Sequence, residues 1–222
     1  KEIKVNVAKP PKESLAPIVE ALDPDISESN AAVDVPDIDI PKLPPMDNIK
    51  IDLYNTDVSN PKQIRNKIKT IEYKYKTIDI LVLNAAICPF REFLKVDEKI
   101  FDKVINTNQK GAFFLAQEVS KIMVKKKTKG KIVFLSSVSS IFGGSLQSHY
   151  CASKGAVNQI MKSMAISLGK YKINVNAVLP GTVITNLNKR QLNKNNKLKK
   201  YFIKRTPLNR LITPEEIAKT IL

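Results

Sequence analysis

The sequence predicts an α/β fold with a doubly wound parallel sheet. Three apolar runs rich in β-branched residues, at 78–83, 132–135 and 173–179, have the length of strands buried inside such a sheet. Segments with the apolar spacing of helices lie between them, and strands that alternate with helices are typical of a parallel sheet. The length of 222 residues is that of one domain, residues 1–222, which can bury a sizeable core.

The first part of the chain contains short predicted elements. Residues 3–8 alternate apolar and polar side chains as a strand does, and residues 13–22 suit a short helix. Residues 49–56 are predicted to form a strand that runs into Asp57, a residue type that often caps a helix. The following helix is predicted over 61–75 and has proline near its start, where proline is favoured.

An acidic, proline-rich stretch interrupts this order at residues 23–47. It contains seven acidic residues, one basic residue and five prolines. Such a composition is typical of an extended or disordered insertion. We interpret it as a tolerated surface insertion, with a partner-docking or regulatory loop as the alternative.

Longer helices are predicted in the second half of the chain. Apolar residues recur at helical spacing over 97–127, which predicts two helices that meet near residues 108–111. Distorted helices often mark functional sites, so Asn108 is a candidate site residue. A further helix is predicted over 150–170, then a polar, lysine-rich lid, and finally a short helix that Thr213 can cap.

Ser137, Tyr150 and Lys154 form the candidate catalytic group. The strand at 132–135 ends in a serine cluster, and open α/β sheets bind ligands at the carboxyl ends of their strands. Tyr150 and Lys154 lie one turn apart if this segment is helical. A neighbouring ammonium is expected to lower the pKa of the tyrosine from about 10, so that it can exchange a proton with a substrate held by Ser137. A bare Tyr-x-x-x-Lys pattern also occurs in ordinary helices, where neither residue takes part in chemistry.

Charge and cysteine content narrow the classes of function. The net charge of +16 is spread over the chain and no RNA-binding motif accompanies it, so we interpret it as composition rather than as a nucleic-acid surface. Cys88 and Cys151 provide neither a disulfide framework nor a metal site. No apolar run reaches the roughly 18 residues of a membrane span, and no secretory signal opens the chain. We therefore expect no metal, no membrane association and a cytoplasmic location.

The strand that ends in Ser137, the spacing to Tyr150 and Lys154, and the later Leu-Pro-Gly-Thr at 179–182 together resemble the short-chain dehydrogenase/reductase family. The resemblance implies a Rossmann-type fold and an oxidoreductase that acts on CH-OH groups. It also implies Ser137, Tyr150 and Lys154 as catalytic residues, and Asn108 as a fourth that holds a water in the proton relay.

The same resemblance implies a nicotinamide cofactor, NAD or NADP. The residues implied to bind it are Asp57, Val58, Asn84, Ala85, Ala86, Tyr150, Lys154, Pro180, Gly181, Val183 and Thr185. Ala86 stands where the family has a glycine that lets the backbone approach the cofactor closely. Ala8 and Lys9 follow the first predicted strand, and the absence of an acid there favours NADP or tolerance of both nucleotides.

Four stretches resemble one group within the family, the fungal L-rhamnose 1-dehydrogenases, which oxidise an aldose at C1. These stretches are residues 90–94, 143–150, 168–171 and 205–210. This implies a small-molecule sugar substrate, for which Arg91, Ser139 and His149 are candidate contacts. His149 is equally well interpreted as a helix-start residue without chemistry. Family members are usually tetramers, so we expect a homo-oligomer, a tetramer or a dimer.

The sequence also departs from the family pattern. The family opens with a strand and a Gly-rich turn that holds the pyrophosphate, whereas this sequence has seven glycines and no such turn before residue 49. We therefore expect a partial domain that lacks the first strand and the last one. The missing turn leaves a catalytically silent scaffold or interaction subunit as one alternative to a sugar dehydrogenase. An enzyme similar to 3-oxoacyl carrier protein reductase is a second alternative.

Overall fold

The computed structural model describes residues 52–185, 188–194 and 196–221. The strand and helix predicted at 3–8 and 13–22, and the acidic insertion at 23–47, lie outside these residues. The described helices are α1 Pro61–Tyr75, α2 Glu98–Val104, α3 Ala112–Lys125, α4 Ser139–Phe142, α5 Ser148–Gly169, α6 Lys189–Lys194, α7 Asn196–Lys204 and α8 Pro214–Ile221. The strands are β1 Ile80–Leu83, β2 Lys131–Leu135 and β3 Asn174–Val178.

The three strands form a parallel sheet in the order β1-β2-β3. In its register Leu83 lies beside Phe134, and Phe134 beside Ala177. This confirms the predicted parallel α/β architecture, with β1 beginning two residues later than expected. All three strands run in the same direction, so the loops that follow them meet at one edge of the sheet.

The helices pack on this sheet through one apolar core. Ile132 and Phe134 of β2 are fully buried, and they share the core with Ile64 of α1, Met123 of α3 and Val157 of α5. Residues two apart in a strand point to the same face, so these three helices cover the same side of the sheet. The carboxyl ends of the strands and the start of α5 are thereby held in one rigid frame.

Residues 98–125 confirm the predicted pair of helices and show how they join. A π-helical segment, Ile105–Gly111, connects α2 to α3 without a break in the helix. It carries Asn108, so the expected irregularity is present. A Cβ atom added at Gly111 would lie 2.5 Å from the carbonyl oxygen of Val58, which explains why only glycine fits this close approach of the helix to the loop before α1.

Two expectations near residue 57 are wrong. Residues 52–56, the described part of the strand predicted at 49–56, form no strand, since no described segment pairs with them and a strand needs a hydrogen-bonded neighbour. Asp57 does not cap α1, since the carboxamide of Asn60 accepts hydrogen bonds from the first turn instead. Proline at the first helical position fixes the start of α1, so the cap falls on the residue directly before it.

The C-terminal segments contain three short helices among the described residues. The lysine-rich stretch contains α6 and α7, and its role as a lid stays a prediction. Thr213 caps α8 through a reciprocal pair of bonds: its hydroxyl accepts from the Glu216 amide at 3.3 Å, and the Glu216 carboxylate accepts from the Thr213 amide at 2.9 Å. Among the described helices, none combines the length and the apolar character that crossing a membrane requires.

Candidate active site

The loops after β2 and β3 are joined at the carboxyl edge of the sheet. The Ser136 amide donates to the Val178 carbonyl at 2.9 Å, and the Val138 amide donates to the Pro180 carbonyl at 3.1 Å. Both bonds continue the strand pairing beyond its formal end. The serine cluster and the Pro-Gly-Thr segment are therefore held side by side, as the sequence predicted for one site.

Ser137 lies in a tight turn between β2 and α4. Its hydroxyl oxygen accepts a hydrogen bond from the Ser139 amide at 3.1 Å, which fixes the side chain while leaving its own proton available to another acceptor. Gly143 ends α4 with a φ of 72°, a conformation that favours glycine and turns the chain back toward α5.

Tyr150 and Lys154 lie on one buried face of α5, as their spacing predicted. The ammonium of Lys154 donates to the Leu135 carbonyl at 2.6 Å, so the end of β2 holds it in place. The same Nζ atom lies 5.7 Å from the centre of the Tyr150 ring. The main-chain carbonyl of Lys154 in turn accepts from the Ser136 hydroxyl at 3.3 Å, which binds the helix to the strand end a second time.

The expected lowering of the pKa of Tyr150 is wrong for this structure. Burial raises the pKa of Tyr150 to about 12, the neighbouring Cys88 adds to the rise, and a hydrogen bond with Ser137 opposes it. Burial also lowers the pKa of the Lys154 ammonium to about 8. Removing water penalises every charged form, and burial is the largest cause of both shifts, whereas the Lys154 ammonium is not among the causes that act on Tyr150.

Asn108 joins the π-helical segment to two other parts of the site. Its side chain is 1% exposed; its Oδ1 accepts from the Ile87 amide at 2.8 Å, and its Nδ2 donates to the Ile87 carbonyl at 2.9 Å. The same Nδ2 donates to the Ser153 hydroxyl at 3.1 Å, which donates to the Tyr150 carbonyl at 2.7 Å. The side chain is thus a structural junction, and its water-holding role stays a prediction.

Sequence reasoning did not single out Ser153. This residue is fully buried and connects Asn108 to the first turn of α5. Its signal was available, because a small polar residue three positions after Tyr150 lies on the same side of the helix as Tyr150.

A cavity of about 140 Å³ brings together residues expected to hold the nucleotide. It is lined by Val58, Val82, Leu83, Asn84, Ala85, Thr107, Gly111, Ala112 and Leu115. Three predicted residues from two distant segments meet there, and Ala86 follows directly in the chain. Asp57 is exposed beside it, with one carboxylate oxygen accepting from the Ser59 amide and hydroxyl. The arrangement fits part of a dinucleotide, because small side chains leave backbone accessible at the carboxyl edge of the sheet.

The remaining predicted nucleotide residues lie on the loop after β3. Pro180 and Gly181 are half-buried next to the serine cluster, and Val183 pairs with Ile212 through an isolated parallel bridge. Asn188 ties the end of this loop: its Nδ2 donates to the Val183 carbonyl at 2.9 Å and its Oδ1 accepts from the Thr185 amide at 3.1 Å.

The three candidate substrate residues lie around the start of α5, in different settings. The Arg91 amide donates to the Leu146 carbonyl at 2.9 Å, and the Ser139 hydroxyl lies 3.4 Å from Oε1 of Gln147. Both residues are half-buried, and their contact with substrate stays a prediction. His149 is enclosed, with 1% of its surface exposed and its Nε2 bonded to the Pro89 carbonyl at 2.8 Å. Within the described ranges no cluster of His, Cys, Asp and Glu could hold a metal.

Comparison with known proteins gives consistent results. A family model described as "Enoyl-(Acyl carrier protein) reductase" matches residues 31–222. L-rhamnose 1-dehydrogenase (NAD(P)(+)) of Sphingomonas sp. is 38% identical over 166 residues, which cover 75% of this chain and 65% of the relative. L-rhamnose 1-dehydrogenase (NADP(+)) of Thermoplasma acidophilum is 39% identical over 175 residues, covering 78% and 68%. The fungal L-rhamnose-1-dehydrogenase of Scheffersomyces stipitis is 40% identical over 162 residues, covering 73% and 62%.

The chain thus spans about two thirds of the length of these curated relatives. A 3-oxoacyl-[acyl-carrier-protein] reductase of Thermotoga maritima is 37% identical over 173 residues, covering 78% of this chain and 69% of the relative. Among solved structures, a short-chain type dehydrogenase/reductase from Mycobacterium marinum matches with a TM-score of 0.70 and 32% identity, covering 75% of this chain and 65% of that one.

Proposed function

Because this chain belongs to the short-chain dehydrogenase/reductase family, we propose that it transfers a hydride between the C1 hydroxyl of an aldose and NAD or NADP. The observation that carries the proposal is the convergence of Ser137, Tyr150 and Lys154 at the carboxyl edge of the sheet. Three relatives are named L-rhamnose 1-dehydrogenases, which supports L-rhamnose as the first sugar to test.

In the oxidation of a sugar, Tyr150 would take the proton of the C1 hydroxyl. The Ser137 hydroxyl would hold the substrate oxygen beside it, since the Ser139 amide already fixes that side chain. An oxidised nicotinamide held by the loop after β3 would supply the acceptor for the hydride from C1. With a pKa of about 12 in a structure where the Lys154 ammonium already lies nearby, Tyr150 is protonated at neutral pH and must lose its proton before it can accept one from the sugar. The ammonium of Lys154, anchored on the Leu135 carbonyl, would stabilise the phenolate once it forms.

We assign nucleotide binding to the residues around the cavity between β1 and the π-helical segment, and to the loop after β3. Val58, Asn84 and Ala85 would contact one part of the nucleotide, and Pro180 to Thr185 another. The relatives carry both NAD(P)(+) and NADP(+) in their names, so either nucleotide is proposed for this chain. A homo-oligomer and a cytoplasmic location complete the proposal.

The test is turnover of L-rhamnose and related aldoses by the full-length protein with each nucleotide. Tyr150→Phe removes the acid–base hydroxyl while keeping the ring. It should lower kcat by about 10² to 10⁴, the usual contribution of a positioned proton-transfer group, without weakening nucleotide binding. Tyr171→Phe is the matched control, because Tyr171 is 43% exposed at the surface. Equal turnover by wild type and Tyr150→Phe would refute the mechanism.

A second candidate function is reduction of a 3-oxoacyl thioester. The Thermotoga maritima reductase, at 37% identity, is the observation in its favour. Turnover of acetoacetyl thioester with reduced nucleotide, with no turnover of any aldose, would favour this activity over the sugar one.

A further inference from the structure

We infer that His149 is a positioning residue that fixes the loop of residues 87–91 against the start of α5, beside Tyr150. This loop is hereafter called the substrate-side loop, because it carries Arg91. The inference deepens the proposed function, on which it rests for its kinetic consequence. It assigns to His149 a role other than direct contact with the sugar.

The hydrogen bond of His149 is well defined by its chemistry. The ring is 1% exposed, and Nε2 lies 2.8 Å from the carbonyl oxygen of Pro89. A carbonyl can only accept, so Nε2 carries the proton and donates it. The other ring nitrogen, Nδ1, is buried and has no hydrogen-bond partner among the described residues. An apolar ring would avoid that unpaired nitrogen but would leave the Pro89 carbonyl without this donor, so the bond to Pro89 is the contact that an imidazole adds here.

The substrate-side loop is held from two sides at alternate residues. Asn108 binds both main-chain groups of Ile87 from the π-helical segment. From the side of α5, His149 binds the carbonyl of Pro89, and the Leu146 carbonyl accepts from the Arg91 amide at 2.9 Å. Pro89 lacks an N–H, so its carbonyl is the only main-chain group that this residue can offer for a hydrogen bond.

This arrangement couples the loop to the first turn of α5. His149 directly precedes Tyr150, so the bond to Pro89 sets the distance between the loop and the proposed acid–base. Tyr150, Lys154 and Ser137 keep their own contacts when this bond is lost. Losing it should therefore weaken substrate binding more than it slows the chemical step.

The first test detects the hydrogen bond between His149 and Pro89 and needs no activity measurement. The 222 residues contain one histidine, and the imidazole signals that His149→Phe removes from the ¹⁵N NMR spectrum identify those of His149. We expect one tautomer, protonated at Nε2; protonation at Nδ1 or a mixture of tautomers would overturn the inference. In His149→Phe, the Arg91 amide should exchange with solvent at least about tenfold faster, while the Ile87 amide, held by Asn108, stays within about twofold. An equal change in the exchange rates of both amides, or no change in either rate, would contradict the positioning role of His149.

The second test is kinetic and uses rescue. His149→Phe should raise KM for the sugar at least about fivefold and leave kcat within about twofold, and His149→Gln should restore KM because its amide can donate to the Pro89 carbonyl. Ser148→Ala in the same turn is the control. A glutamine variant as impaired as the phenylalanine variant, or a loss confined to kcat, would overturn the inference. If wild type turns over no aldose, the proposed function fails. The NMR and exchange results then decide alone whether His149 positions the substrate-side loop.

Discussion

Asn108→Ala should be the most destabilising single change at the edge of the site. The substitution removes three hydrogen bonds, two to Ile87 and one to Ser153. At roughly 1 kcal/mol each, and with the half-buried amide of Ile87 left unpaired, the free energy of unfolding should fall by about 3 to 4 kcal/mol. For a chain of this size that corresponds to a drop in Tm of roughly 6 to 16 °C.

The assay is urea unfolding followed by far-UV circular dichroism, with a thermal scan in parallel. Asn106→Ala provides the matched control, because Asn106 is half-buried in the same π-helical segment. The control should lose less than about 1 kcal/mol, the usual range for a substitution outside a hydrogen-bond network. If Asn108→Ala lost no more stability than the control, the three hydrogen bonds of Asn108 would not contribute to the free energy of unfolding as argued.

Two further predictions concern close packing and burial. Gly111→Ala should lower the free energy of unfolding by about 1 to 3 kcal/mol, because the new Cβ would lie 2.5 Å from the Val58 carbonyl oxygen. As the control, Gly169→Ala meets no atom within 4 Å and should be neutral in the same unfolding assay. A Gly111→Ala variant as stable as wild type would contradict the close approach. Burial lowers the pKa of Lys154 to about 8 from 10.5, so between these values the unfolded chain holds a proton that the folded chain has released, and the stability contributed by this group should rise with pH across that window. Lys154→Met should remove this part of the pH dependence, and the exposed Lys162→Met should not. If the free energy of unfolding of wild type and Lys154→Met had the same slope against pH, Lys154 would not change its protonation on folding.

Local patterns explain which parts of the fold were predictable. The apolar run of β2 and the proline at the start of α1 are encoded within a few residues, and both elements lie where the sequence placed them. The four-residue spacing of Tyr150 and Lys154 fixed their common face in the same way. Residues 52–56 differ, because a strand also needs a neighbour, and that neighbour is a property of the whole sheet.

The sequence predicted that Ser137, Tyr150 and Lys154 lie close together, but it did not predict their electrostatics. The sequence shows that an ammonium and a phenol are neighbours, yet the direction of the pKa of Tyr150 depends on how deeply both are buried. The partner of His149 lies sixty residues earlier in the chain, at Pro89, so no local pattern could reveal it. Contacts of this kind become visible only when the loop after β1 and the start of α5 are brought together.

The end of β2 is the common reference point for the proposed proton transfer. The Leu135 carbonyl holds the ammonium of Lys154, the Ser136 hydroxyl donates to the main chain of the same lysine, and Ser137 follows directly. The hydroxyl proposed to hold the substrate and the carbonyl that anchors the cation therefore belong to one short peptide segment, at 135–137. Tyr150 is placed from a different element, the first turn of α5, where the Ser153 hydroxyl donates to its carbonyl and Asn108 donates to Ser153. The separation between Tyr150 and the strand end therefore depends on these contacts and on the two bonds that join Lys154 to β2 and Ser136.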